Sequence, residues 1–230
     1  MLVVSPRRNA VLAELVGQIV RRHHGSRLRL AVDGVDGAGK STFANELTSG
    51  LEEAGLAVVR ASVDGFHRPK AERYRLGRTS PEGFYRESYD YQQLDQLLLA
   101  PFAAGGSGWI RTVAFDHQTD APAFAPERQV ETEDVLILDG IFLHRPELRR
   151  AWDFSVFLHV GFDVSIPRCA RRDGSSPDPR SAANRRYVEG QRLYLREARP
   201  WEHATVIIDN TDLAEPSTMT TEAVRLDGYR

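Results

Sequence analysis

Two residue types are nearly missing from this chain of 230 residues. Lysine occurs only at Lys40 and Lys70, although Lys and Arg together number 30, and cysteine occurs once, at Cys169. A single thiol excludes an internal disulfide, and with no C-x-x-C or paired-histidine spacing there is no zinc-type ligand set. A reducing, cytoplasmic setting is therefore expected. No run approaches the ~18 apolar residues of a membrane span, and the start, MLVVSPRRN, lacks the apolar core of a secretory leader, so a soluble, unsecreted protein away from membranes is expected. The net charge of -2 gives no global attraction to nucleic acid or to an anionic surface. Internal repeats and low-complexity tracts are absent too.

The scarcity of lysine gives weight to the ones that remain. A compact ammonium is not interchangeable with a planar guanidinium, so Lys40 stands out as chemically required. It sits in LRLAVDGVDGAGKST, residues 28–42, where an apolar strand-like run ends in Asp33, the pattern G-x-x-x-x-G-K-S follows from Gly34 to Ser41, and a helix-compatible segment comes next. This is a P-loop in its required setting. Gly34, Gly37 and Gly39 let backbone N–H groups of the loop, through Asp36, Ala38 and Thr42, converge on phosphate oxygens. The following helix adds its N-terminal dipole. Lys40 is expected to reach the β- and γ-phosphates of ATP, and the Ser41 hydroxyl to take a place on Mg²⁺.

Along the chain, an amphipathic helix is expected from 10 to 22, with an apolar stripe free to pack on the sheet or on a second subunit of a homo-oligomer. Strands are expected over 28–32, 57–63, 109–115, 134–139, 154–160 and 205–208, alternating with helices, which is the doubly wound βα pattern. The P-loop helix is expected to stop at Gly50 or Gly55. Segment 70–87 is polar and arginine-rich without a clean period and reads as a substrate-side loop, 121–127 reads as a loop, and the tail after Asn210 reads as polar and frayed. Asp90 with Gln93 suggests a capping box.

Three features cluster chemistry at strand ends. Asp64 follows the strand over 57–63, so it emerges beside the P-loop at the carboxyl edge of the sheet, where it can accept the proton of a substrate hydroxyl; His67 and Arg68 lie just beyond it on the substrate side. Asp139 ends the apolar run of 134–139 at the position that completes a Mg²⁺ shell opposite the P-loop serine. Between Arg168 and Arg199 arginines gather around a Pro/Ser break at 173–181. Two helices bridged by such a segment suit a phosphate-clamping lid; Arg168, Arg171 and Arg172 are its leading candidates.

Taken together, GVDGAGKS, VDGFHRP, SYDY, VAFDHQTD, LILDGIF, RCARRD and ATVIIDN, in that order, resemble the phosphoribulokinase/uridine kinase family of P-loop small-molecule kinases. The resemblance implies a P-loop NTPase-type three-layer α/β/α fold with a five-stranded parallel sheet and a helical lid, and transfer of the ATP γ-phosphate to a hydroxyl of a nucleoside-like small molecule. It implies that Asp64 acts as base with Lys40 and Arg171 in the catalytic set, that Asp90 binds ribose hydroxyls with Tyr89 beside the sugar or base, and that the 168–199 lid holds phosphate. The chain divides accordingly into an N-terminal helix over 1–26, a kinase domain over 27–212 and a tail over 213–230. In the VAFDHQTD block, Phe115 stands where uridine kinases carry a tyrosine, His117 is shifted, and Asp120 takes the expected histidine place. The DGF…G…ESYD spacing also resembles bacterial pantothenate kinase, so pantothenate and sugar or phosphosugar acceptors stay open.

Overall fold

The computed structural model describes residues 5–229; the first four residues of the MLVVSPRRN start lie outside them. Six strands form the main sheet: β1 (Leu28–Gly34), β2 (Val58–Ser62), β3 (Val135–Gly140), β4 (Phe154–His159), β5 (Val206–Asp209) and β6 (Ser217–Met219). Their spatial order is β6-β5-β4-β1-β3-β2. The first five are mutually parallel and β6 runs antiparallel to β5. Every residue of β3 and β4 is buried, which requires cover on both faces of the sheet and makes the three-layer arrangement. The expected five-stranded parallel sheet is present with one strand added at its edge.

The helices follow from local signals. Helix α1 (Pro6–His23) is opened by Ser5, whose hydroxyl accepts from Arg8 N at 3.0 Å, with Pro6 in the first turn. Its Leu15 and Ile19 are buried, and it packs on α2 (Lys40–Glu53). After α3 (Pro81–Glu87) a helical run covers 91–102, and α4 (Phe162–Asp173) and α5 (Arg185–Ala198) flank the Pro/Ser break. No helix among the described residues is long and apolar enough to cross a membrane.

Three expectations need correction. The segment 70–87 is not a loop: it holds a short helix, Lys70–Arg73, and then α3, which Ser80 caps by accepting from Gly83 N at 3.0 Å and which buries Phe84 and Tyr85 against α5. The strand over 109–115 is two separate pieces. Trp109–Ile110 pairs with Arg128–Gln129, and Phe115–Asp116 pairs with Ala121–Pro122. Between them Arg111 N is taken by Leu97 O and Ala114 N by Gly65 O, so no continuous ladder can form. The tail is not frayed: Ser217–Met219 pairs with β5, and Tyr229 is buried with its hydroxyl on His159 Nδ1 at 2.9 Å.

A polar brace joins the N-terminal helix to the rest. Arg8 is 1% exposed; it donates to both carboxylate oxygens of Glu46 on α2, to Asn210 Oδ1 at 3.1 Å and to Leu213 O at 2.9 Å. Asn210 in turn donates its Nδ2 to Ala38 O of the P-loop at 2.7 Å. Removing a buried guanidinium strands its partners. Arg8→Met is expected to lower unfolding free energy by about 2–3 kcal/mol in urea denaturation; a loss below ~1 kcal/mol would reduce Arg8 to a space-filling role.

Candidate active site

The P-loop leaves β1 between the carboxyl ends of β3 and β4. Gly39 caps α2 with φ +90°, and Gly37 has φ +75° with the Ser165 carbonyl of α4 so near that a Cβ would collide with it. Glycine is required there both for the left-handed backbone and for the close approach. Lys40 Nζ donates to Val35 O at 2.9 Å, arching over the loop. Gln191 Oε1 on α5 accepts from Asp36 N at 2.6 Å. Burial pushes the Asp36 carboxyl above its ordinary range, with Lys40 opposing and Asp64 adding to the rise, so Asp36 and Asp64 are within electrostatic reach of each other.

Ser41 and Asp139, which lie 98 residues apart, meet: Ser41 Oγ donates to Asp139 Oδ2 at 2.6 Å. Asp139 is 3% exposed, and its other oxygen accepts from Arg60 Nη2 at 2.7 Å. Sequence reading passed over Arg60; its one signal was a lone cation in an otherwise nearly apolar strand. These two oxygens belong to hard donors of the kind Mg²⁺ takes. Among the described residues no cluster of three or more His, Cys, Asp or Glu could hold a metal ion.

On the adjacent strand end, Asp64 sits in a single 3-10 turn, Val63–Phe66, just past β2. The chain then pairs back on itself, Arg68 N to Ser88 O and Asp90 N to Phe66 O, which brings Tyr89 under Asp64. Tyr89 is buried and its hydroxyl donates to Asp64 Oδ1 at 3.0 Å; burial first, and then Asp64, hold this phenol well above its ordinary value. Its hydroxyl thus stands behind the carboxylate and anchors it. The His67 ring lies 4.5 Å from the Tyr89 ring and stacks at 4.6 Å on His117, and its Nδ1 donates to Asp64 O at 2.9 Å.

Other expected substrate residues are engaged elsewhere. Arg68 donates to Glu87 at 3.2 Å and to Tyr89 O. Asp90 caps the helical run, its two oxygens accepting from Gln93 N at 2.9 Å and Gln93 Nε2 at 3.2 Å. Phe115 is buried, and Asp120 holds Lys70 N and Arg73.

The lid arginines divide in the same way. A cleft of about 490 Å³ is lined by Gly37, Gly39, Lys40, Ser41 and Thr42 on one side and by Arg168, Arg171 and Arg172 on the other. Arg168 spends its donors on the carbonyls of Gly37, Asn210 and Thr211. Burial and its neighbour Arg171 lower its pKa. Arg172 pairs at the surface with Asp173 at 3.2 Å, while Arg171 stands exposed on the cleft wall.

A parallel sheet with a strand, glycine loop and helix at its carboxyl edge, facing strand-end carboxylates, defines a P-loop kinase fold. Residues 30–177, well over half of the chain, match the Phosphoribulokinase / Uridine kinase family, and the chain belongs to that family. It is 27% identical over 154 residues to "Uridine kinase" of Alkaliphilus metalliredigens, covering 63% of this chain and 67% of that one. It is also 27% identical over 150 residues to "Probable thymidylate kinase" of Thermoplasma volcanium, covering 64% and 73%. Among solved structures it resembles a "Possible Uridine Kinase" from Bacillus stearothermophilus, with TM-score 0.68 and 25% identity, covering 86% of this chain and 97% of that one.

The His67 ring gives a test of this arrangement. Burial lowers its pKa, against the opposing pull of the Asp64 carbonyl and carboxylate, so the folded ring stays neutral where the unfolded one, near 6.5, takes a proton. Its share of stability is full above that value and is lost as pH falls from there through the lower value of the folded ring. In a pH titration by NMR the His67 ring resonance is expected to move with a midpoint below 6.5; a midpoint at or above it would contradict the desolvated stack.

Proposed function

We propose that this chain is an ATP-dependent kinase that transfers the γ-phosphate to a hydroxyl of a nucleoside-like small molecule of the uridine or cytidine type. The observation that supports the phosphotransfer part is the pair of carboxylates at the carboxyl ends of adjacent strands beside the P-loop, Asp139 on the P-loop serine and Asp64 on Tyr89. Family membership supplies the reaction class. The nucleoside part rests on the relatives called uridine kinase and on the His67–His117 stack, a flat surface on which a heterocycle can lie. A cytoplasmic location is supported by the single cysteine.

The residues fit ATP and Mg²⁺. The glycine-dependent loop offers converging amides, with Lys40 as point charge for the terminal phosphates, and Ser41 with Asp139 would hold the ion. Bound there, the ion would neutralise charge on the β- and γ-phosphates. Asp64 takes the proton of the acceptor hydroxyl on the oxygen that Tyr89 leaves open. Arg171 is the lid guanidinium placed to balance charge developing on the transferred group. Arg168 keeps the lid against the loop, and Arg172 joins them when its surface pairing with Asp173 yields. Positioning and electrostatics carry such a reaction.

Asp64→Asn is expected to keep ATP affinity within a few-fold while turnover falls by ~10²–10⁴; unchanged turnover would remove Asp64 from the role of base. Lys40→Ala should weaken nucleotide binding as well as turnover, read by calorimetry and by ADP release. An ADP-release screen over uridine, cytidine, pantothenate, ribulose 5-phosphate and simple sugars tests the acceptor. Stimulation by pantothenate or a sugar, with uridine and cytidine silent, would overturn the nucleoside assignment and keep the kinase.

A further inference from the structure

We propose that Arg60 is a positioning residue for the divalent-cation site, fixing one oxygen of Asp139 so that the other stays on the P-loop serine. This rests on the reading that Ser41 and Asp139 hold Mg²⁺.

Arg60 lies on β2, the strand at one edge of the sheet, and pairs in register with Ile137 of β3, two residues before Asp139. From there its guanidinium is gripped on three sides. Nη1 donates to Ile137 O at 2.7 Å, Nη2 donates to Asp139 Oδ1 at 2.7 Å, and Nε and Nη2 both reach Asn45 Oδ1 on α2 at 3.3 Å. A planar fork held by a strand carbonyl and by a helix side chain has little freedom to turn. The carboxylate it touches is buried, and Ser41 Oγ at 2.6 Å takes the remaining oxygen. Asp139 is therefore fixed by two donors, one on each oxygen. Without Arg60, Oδ1 would be a buried acceptor lacking its charged partner, and the carboxylate would be free to rotate away from Ser41. Through Asn45 the same fork ties the orientation of Asp139 to the helix that carries Lys40 and Ser41.

The readout is the gain in ADP affinity on adding Mg²⁺, measured by calorimetry on the full chain in MgCl₂ and in EDTA. Arg60→Gln is expected to shrink that gain about tenfold, the size of one charge-assisted hydrogen bond, with ADP affinity in EDTA as in the wild type. A purely structural role would lower thermal stability without touching the gain. Arg60→Lys keeps the charge but not the fork, and is expected to shrink the gain about threefold; it carries the test by itself if the glutamine variant does not fold. A gain equal to or larger than the wild-type gain in the folded variants overturns the proposal. A wild type that shows no gain, or an Asp139→Asn variant that keeps the full gain, overturns instead the placement of Mg²⁺ on Ser41 and Asp139, and the role of Arg60 falls with it.

Discussion

Behind the phosphate loop one buried carboxylate holds the structure together. Asp33, at the end of the central strand, is wholly buried. It accepts from Gly34 N at 2.7 Å, from His144 N at 3.2 Å and from the Tyr194 hydroxyl, and it bonds His144 Nδ1 at 2.6 Å. Four donors from three parts of the chain converge on two oxygens. Each bond to such a group is worth roughly 1.5–3 kcal/mol, and a lost partner leaves a buried acceptor unsatisfied. The entry of the loop is thereby fixed before any phosphate arrives, which is what electrostatic preorganisation requires of a cradle built from backbone amides.

The same carboxylate sets the root of the lid. Tyr194 and Gln191 lie one turn apart on α5, one holding Asp33 and the other the Asp36 amide. On this helix Gly190 has no room for a side chain, because Phe84 and the Pro81 carbonyl of α3 lie against it. Helix α5 is thus clamped between α3 and the P-loop. Arg186, buried, adds donors to the carbonyls of Arg73, Gly77 and Ser80. The arginines between 168 and 199 therefore differ in their surroundings. Arg168 and Arg186 are staples on backbone carbonyls, whereas Arg171 and Arg172, at the end of α4, are exposed and line the cleft beside the P-loop.

That division also explains what could be read in the sequence. The P-loop and the strands around it were legible because each signal is contiguous: an eight-residue pattern, or a short apolar run ending in a carboxylate. Ser41 and Asp139 could be paired from afar because a general rule places both at the carboxyl edge of neighbouring strands. The contacts that hold the site have no such rule. Arg8 meets Asn210 across 202 positions, Tyr194 meets Asp33 across 161, and Arg60 meets Asp139 across 79, so nothing local marks them. Helices of four and seven residues over 70–87 are too short to display a period, and a three-residue edge strand at 217–219 looks like tail until its partner is known.

The two strand-end carboxylates are separated in role by their surroundings more than by their position. Asp139 is buried and accepts on both oxygens, from Ser41 and from Arg60; a carboxylate oriented in this way and paired with a guanidinium suits holding a cation better than carrying a proton. Asp64 is exposed, and Tyr89 engages only Oδ1, which anchors the side chain and leaves Oδ2 without a protein hydrogen-bond partner among the described residues. A carboxylate with one side anchored and one side open is the form a general base needs. Had Tyr89 instead faced the acceptor, as the SYDY block suggests, Asp64 would have no anchor, since its other contacts run through its backbone. Burying Tyr89 thus gives the Asp64 carboxylate its one side-chain anchor, with the stacked His67 and His117 rings beside it.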